Sequence, residues 1–185
     1  MANLLTNPDF ELGTGSRTTA GWLGGADTYG VYYQTVTGTL AFDTGVKHGG
    51  AQSVRLDPGV GIDWNTCGPS ISSSDHSIVV TPNTEYELSA YLKSNGFTIS
   101  GGGLQMYAVE YDNANNFQAE VIFPSSLAGT QDWTKLKKIW TTGANTTRLV
   151  IQYIRAHGHG GNLYVDDAYL GPPIVLPSAR IIHFI

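Results

Sequence analysis

One cysteine, Cys67, stands in 185 residues, which excludes an internal disulfide framework and any cysteine-based zinc site. No basic residue adjoins it in sequence, so it reads as a small half-buried hydrophobe and not as a reactive thiol. Charge is scarce too: charged residues make up 14% of the chain, and a net charge of −5 is spread without a basic block. Nucleic acid needs a Lys/Arg stripe, and the lack of one excludes that partner. No apolar run approaches membrane-spanning length, so no membrane partner is read either. The opening M1-A-N-L-L-T carries no charged n-region and no long apolar stretch, so no signal peptide is expected. That leaves the location open between a cytoplasmically made protein and a module of a longer secreted one. Amphipathic helix patterns are absent as well.

What is abundant points to β structure. Glycine occurs 23 times, and 10 tyrosines outnumber 6 phenylalanines, a balance of pleated surface and turns. Apolar residues recur with period two. In T84-E-Y-E-L-S-A-Y-L-K93, Tyr86, Leu88, Ala90 and Leu92 share one face, and Glu85, Glu87, Ser89 and Tyr91 the other. In L104-Q-M-Y-A-V-E-Y111, Leu104, Met106 and Ala108 oppose Gln105, Tyr107, Val109 and Tyr111. R148-L-V-I-Q-Y-I-R155 is apolar on both faces, as a central strand is. W133-T-K-L-K-K-I-W140 and S53-V-R-L56 complete the clearer strands. Turns are expected at H48-G-G, D57-P-G, T81-P-N, S94-N-G, S100-G-G-G, D112-N-A-N-N and H157-G-H-G-G. Many short strands at this spacing predict an all-β fold, an antiparallel β-sandwich of jelly-roll type. The domain is expected to span residues 1–171. Pro172 and Pro173 then break the chain before an apolar tail, 172–185, which reads either as a partner-docking arm or as a segment folded back onto the domain.

Two acidic stretches lie in apolar surroundings, N7-P-D-F-E-L-G13 and L163-Y-V-D-D-A-Y-L-G171. A buried carboxylate needs a partner, because an unpaired buried charge costs several kcal/mol or more.

Five segments, N3-L-L-T-N-P-D-F-E11 with Trp22 after it, H48-G-G-A-Q-S-V-R-L56, V80-T-P-N-T-E-Y-E-L-S-A-Y-L-K93, D132-W-T-K-L136 and N162-L-Y-V-D-D-A-Y-L170, come in an order that resembles carbohydrate-binding modules. The group meant is the galactose-binding-domain-like jelly-roll superfamily containing families four, nine and twenty-two. The resemblance covers roughly residues 3–171 and implies a structural Ca²⁺ joining the first strand to the last. By motif, Glu11 and Asp166 would supply carboxylates and the loop around His48 backbone carbonyls, the hard oxygens that Ca²⁺ takes. Asp9 is a reserve ligand, and Asp167 is expected to point outward. The alternative is that Glu11 and Asp166 pair with arginine or backbone N–H groups without an ion.

In the resembling modules the sugar lies along one sheet, where aromatic faces stack on the pyranose and polar groups bond its hydroxyls. Trp64 in G61-I-D-W-N65 is the first stacking candidate. Gln105, Tyr107 and Tyr111 share a register, and Gln152, Arg155 and His157 follow on a late strand. Core packing is the competing reading for Trp64 and Tyr107. His157 and His159 sit at i and i+2, but no third metal ligand can be assigned, so H157-G-H-G-G reads as a glycine-rich loop.

Catalysis is not expected. A glycosidase needs two facing carboxylates, and Glu110 with Glu120 is the only pair near the strip. No G-x-S-x-G elbow, H-E-x-x-H motif or phosphate-cradling loop occurs. Two functions are read: a module binding a polysaccharide or cell-surface glycan, and a virion component (phage capsid decoration or tail) that docks a protein partner through 172–185.

Overall fold

The computed structural model describes residues 2–5, 8–11, 18–19, 22–24, 39–57, 71–73, 78–125, 127–153 and 157–174. Among them every regular element is a strand. In chain order these are β1 (Thr18–Thr19), β2 (Trp22–Gly24), β3 (Thr39–Asp43), β4 (Ser53–Asp57), β5 (Ile71–Ser73), β6 (Ile78–Val79), β7 (Glu85–Tyr111), β8 (Phe117–Ser125), β9 (Gly129–Thr141), β10 (Arg148–Tyr153), β11 (His157–His159) and β12 (Asn162–Gly171).

All pairings are antiparallel, and β7 organises them. Its first half lies between β12 and β9, with β4 and then β3 beyond β12. This set is sheet one. Its second half lies between β10 and β8, with β5, β2 and β1 beyond β10 and β6 also on β10. This set is sheet two. Where β7 passes from one to the other, β11 pairs with it, His159 opposite Thr98 and His157 opposite Gly103.

The alternation read from the sequence sets the core. Leu88, Ala90 and Leu92 from sheet one meet Met106, Ala108, Leu149 and Ile151 from sheet two in one buried cluster. That is the β-sandwich, and its two inner faces interdigitate in the ordinary way.

Two expected turns are not turns. S94-N-G and S100-G-G-G lie inside β7, where Gly96 takes a φ of 66° and the pairing with β9 shifts between Ser94 and Phe97. Glycine and a bulge bend a strand out of one sheet and into the other. H157-G-H is likewise strand β11, and the turn follows at Gly160 and Gly161, with φ of 73° and 66°. Gly161 faces the backbone of Asn95 and Gly96 so closely that no Cβ fits.

The N-terminal segment closes the sandwich beside β12. Leu4 N donates to Leu170 O at 2.7 Å and Ala168 N to Pro8 O at 2.8 Å. The chain leaves the domain with Tyr169 Oη donating to Pro172 O and Ile174 N donating to Glu87 at 3.0 Å. Residues 175–185 of the expected tail lie outside the described residues.

Candidate functional site

Sheet two turns its inner face to the core with Met106, Ala108 and Leu149, so their alternates face outward. Register then builds rows across three strands. Gln152 lies opposite Tyr107 and Tyr107 opposite Ile122; Val150, Val109 and Glu120 make the next row; Arg148, Tyr111 and Phe117 the third. The third row depends on a bulge, because pairing shifts between Glu110 and Tyr111 and brings Phe117 onto the outer face. The Tyr111 and Phe117 rings meet edge to face, centroids 6.4 Å apart. Phe117 is 56% and Ile122 42% exposed.

This face gathers part of the expected strip and changes part of it. Tyr107 and Tyr111 share one side of β7, Gln152 on β10 pairs in register with Tyr107, Gln105 precedes them on β7, and His157 opens β11. Trp64 and Arg155 lie outside the described residues. Tyr107 needs correction: only 1% of it is exposed, and a buried ring offers no face to a ligand. Phe117 offers one instead. Sequence reasoning missed it because period two runs in phase only until the bulge.

Glu110 and Glu120 do not face each other. Glu110 points inward, 2% exposed, and accepts hydrogen bonds from Trp140 Nε1 at 3.0 Å, Gly143 N at 2.9 Å and Thr146 Oγ1. Glu120 lies on the outer, exposed face. The buried acid therefore ties β7 to β9 and to the turn before β10, where a glycosidase would need it across a cleft from its partner.

At the other cluster, Glu11, Asp166 and Asp167 converge on the loop between β3 and β4. The fully buried Phe10, in left-handed backbone at φ 56°, turns the chain so that Glu11 reaches that loop. Glu11 Oε1 accepts from Ala51 N at 2.8 Å and Gln52 N at 3.2 Å. Asp166 Oδ2 accepts from His48 N at 2.8 Å and Gly49 N at 3.2 Å, and its Oδ1 from Asp167 N at 2.8 Å. Burial pushes the Asp166 carboxyl above its ordinary pKa, with the Asp167 charge adding to the rise, while the three N–H groups pull it back.

Around His48 the loop presents N–H groups to Glu11 and Asp166, the pairing the sequence offered as the alternative to loop carbonyls around an ion. Asp167, expected to point into solvent, holds His48 Nδ1 at 2.6 Å from a left-handed φ of 46° at the β12 bulge.

Does this cluster fit a hard cation? Among the described residues no three histidine, cysteine or carboxylate side chains converge as ligands of one ion. Carboxylates are the hard oxygens that Ca²⁺ takes, and three of them share one loop, where Asp167 is ion-paired with the His48 ring while Glu11 and Asp166 accept backbone N–H groups.

Residues 2–155 match the family model described as "Carbohydrate binding domain". A search of curated protein sequences finds no match. Among solved structures, TmCBM61 in complex with β-1,4-galactotriose superposes with a TM-score of 0.52 at 14% identity, covering 94% of this chain and 100% of that one. A cyclase from Fischerella sp. TAU superposes with a TM-score of 0.64 at 14% identity, covering 90% and 94%. The enzymatically active domain of tailspike protein 4 of bacteriophage CBA120 gives a TM-score of 0.64 at 12% identity over 91% of this chain, which spans 21% of that domain's chain. These likenesses are of fold.

Proposed function

Because the chain belongs to the carbohydrate-binding domain family that its residues 2–155 match, we propose that it is a non-catalytic module binding a poly- or oligosaccharide on the outer face of sheet two. The observation that carries this reading is the three-strand register that sets Tyr111 and Phe117 beside Arg148 and Glu120. The exposed Phe117 ring and the partly exposed Tyr111 ring would stack on the C–H faces of a pyranose, and the flanking guanidinium and carboxylate would bond its hydroxyls. The complex of TmCBM61 with β-1,4-galactotriose supports the same ligand class.

The test is affinity electrophoresis through gels containing xylan, mixed-linkage glucan, mannan or laminarin. Retardation by one polymer, weakened about tenfold in Tyr111→Ala/Phe117→Ala, is the expected result. Wild-type protein that no polymer retards, or a double variant retarded as strongly as wild type, overturns it.

The proposal extends to calcium. Glu11 and Asp166 would hold it, with Asp167 beside them, and its charge would offset the burial of Asp166. Bound calcium would then raise the melting temperature, and chelation would lower it. Melting curves that coincide in EDTA and in millimolar calcium would leave the N–H groups as the sole partners.

A virion setting is the second reading, favoured by the similarity to the phage tailspike domain. It is compatible with glycan binding and predicts self-association or partner binding that disappears when residues after Gly171 are removed.

A further inference from the structure

The outer face of sheet one carries rings that the core does not use. Alternation along β7 sends Leu88, Ala90 and Leu92 inward and Tyr91 outward. Tyr164 on β12, buried at 5% exposure, and Trp133 on β9, half-buried, point to the same side, and none of these three rings belongs to the cluster between the sheets. His48 stacks on Tyr91 with centroids 3.6 Å apart and planes 16° from parallel. Trp133 meets His48 edge-on at 5.7 Å and Tyr164 at 6.5 Å. An outward sheet face is ordinarily polar, so four contiguous rings across three strands and a loop need a reason.

Loop packing explains part of the cluster. His48 is fixed by Asp167 at its ring and by Asp166 at its backbone, and Tyr91 is the surface it rests on. That accounts for two rings. It does not account for Trp133, which is half-buried on β9, an edge strand of sheet one among the described residues. Beside Trp133, Lys93 Nζ and Asp132 Oδ1 lie 2.6 Å apart, with the Asp132 side chain 86% exposed. Lys135 Nζ sits 5.9 Å from the Tyr91 centroid.

From this arrangement we propose a second glycan-binding site on sheet one, centred on Trp133 and rimmed by Asp132, Lys93 and Lys135, on the side of the sandwich opposite the first. An indole presented beside an acceptor–donor pair suits a sugar ring with two adjacent hydroxyls: the C–H face lies on the indole, one hydroxyl donates to Asp132, and its neighbour accepts from Lys93. The ring cluster is already braced, so little ordering is needed on binding. Two sites on opposite faces let one molecule bridge two polysaccharide chains. The inference rests on the glycan reading above.

The same gels separate the two claims. The retardation that survives in Tyr111→Ala/Phe117→Ala falls about tenfold further when Trp133→Ala is added, and wild type, but neither single-face variant, clouds a polysaccharide solution by bridging chains. Asp132→Ala, at an exposed position that does not threaten folding, weakens the surviving retardation in the same direction. If the sheet-two variant has no residual binding, or if Trp133→Ala and Asp132→Ala leave that residue unchanged, the second site is wrong and the first stands. If the sheet-one variants remove all retardation while the sheet-two variant removes none, sheet one alone is the site and the earlier assignment falls. Wild-type protein retarded by no polymer ends both.

Discussion

Trp140 and Glu110 join the two sheets through one buried hydrogen bond, and its energy can be isolated. Trp140→Phe keeps a ring against Tyr86 and Phe123, whose centroids lie 6.2 and 5.8 Å from it, and removes the N–H. Loss of a bond to a charged acceptor costs about 1.5–3 kcal/mol, and the smaller ring about 1 kcal/mol more. Glu110→Gln places its amide oxygen where Gly143 N and Thr146 Oγ1 converge, so its NH₂ faces the Trp140 N–H and costs about 2 kcal/mol. In the double variant the introduced NH₂ stays buried without an acceptor, so the Glu110→Gln cost persists and Trp140→Phe adds the ring term alone. The cycle therefore predicts a coupling of about 2 kcal/mol, the double variant being less destabilised than the sum of the singles. Urea unfolding of the four proteins measures it. Additivity to within about 0.5 kcal/mol would refute the claim that this bond carries energy between the sheets.

Three more predictions test other joints. Glu87 lies on the outer face of sheet one, yet its side chain is fully buried; burial alone would raise its pKa, but bonds from Lys137 and Ile174 N, with the charges of Lys137 and Lys135, bring it below the ordinary 4.5. A carboxylate lowered in the folded state stabilises above its unfolded value and loses that contribution as pH falls through its folded one. Lys137→Ala, at a lysine whose side chain is 42% exposed, should thus cost about 1–2 kcal/mol at neutral pH, and the difference from wild type should shrink below pH 4.5; a difference constant with pH would contradict it. A chain ending at Gly171 loses the Ile174 N–H and should show a weaker acid-side fall in stability than the full chain by the same measurement. Gly161→Ala meets backbone at a φ of 66° and should destabilise by about 2 kcal/mol or more, read as a lower urea midpoint; a midpoint equal to wild type would show that β12 can shift away from Gly96.

Local pattern determined much of this molecule. A side-chain period of two needs only the pleat, so Leu88, Ala90 and Leu92 could be put inside, and Glu87, Ser89 and Tyr91 outside, from the sequence alone. Glu11 and Asp166 could be set against the loop of His48 because the resemblance joined three distant segments. What lies across from what was decided elsewhere. A glycine run permits a turn or a bend, since a missing side chain restrains neither, and only pairing with β9, β11 and β8 made β7 one strand shared by two sheets. A single extra residue reverses the period, which is why Phe117 surfaced beside Tyr111. Glu110 and Glu120 look alike in the sequence, and one is buried among three donors while the other meets solvent. Alternation is a property of neighbours along the chain; bulges and partners belong to the sheet, and they set which rings and carboxylates a ligand can reach.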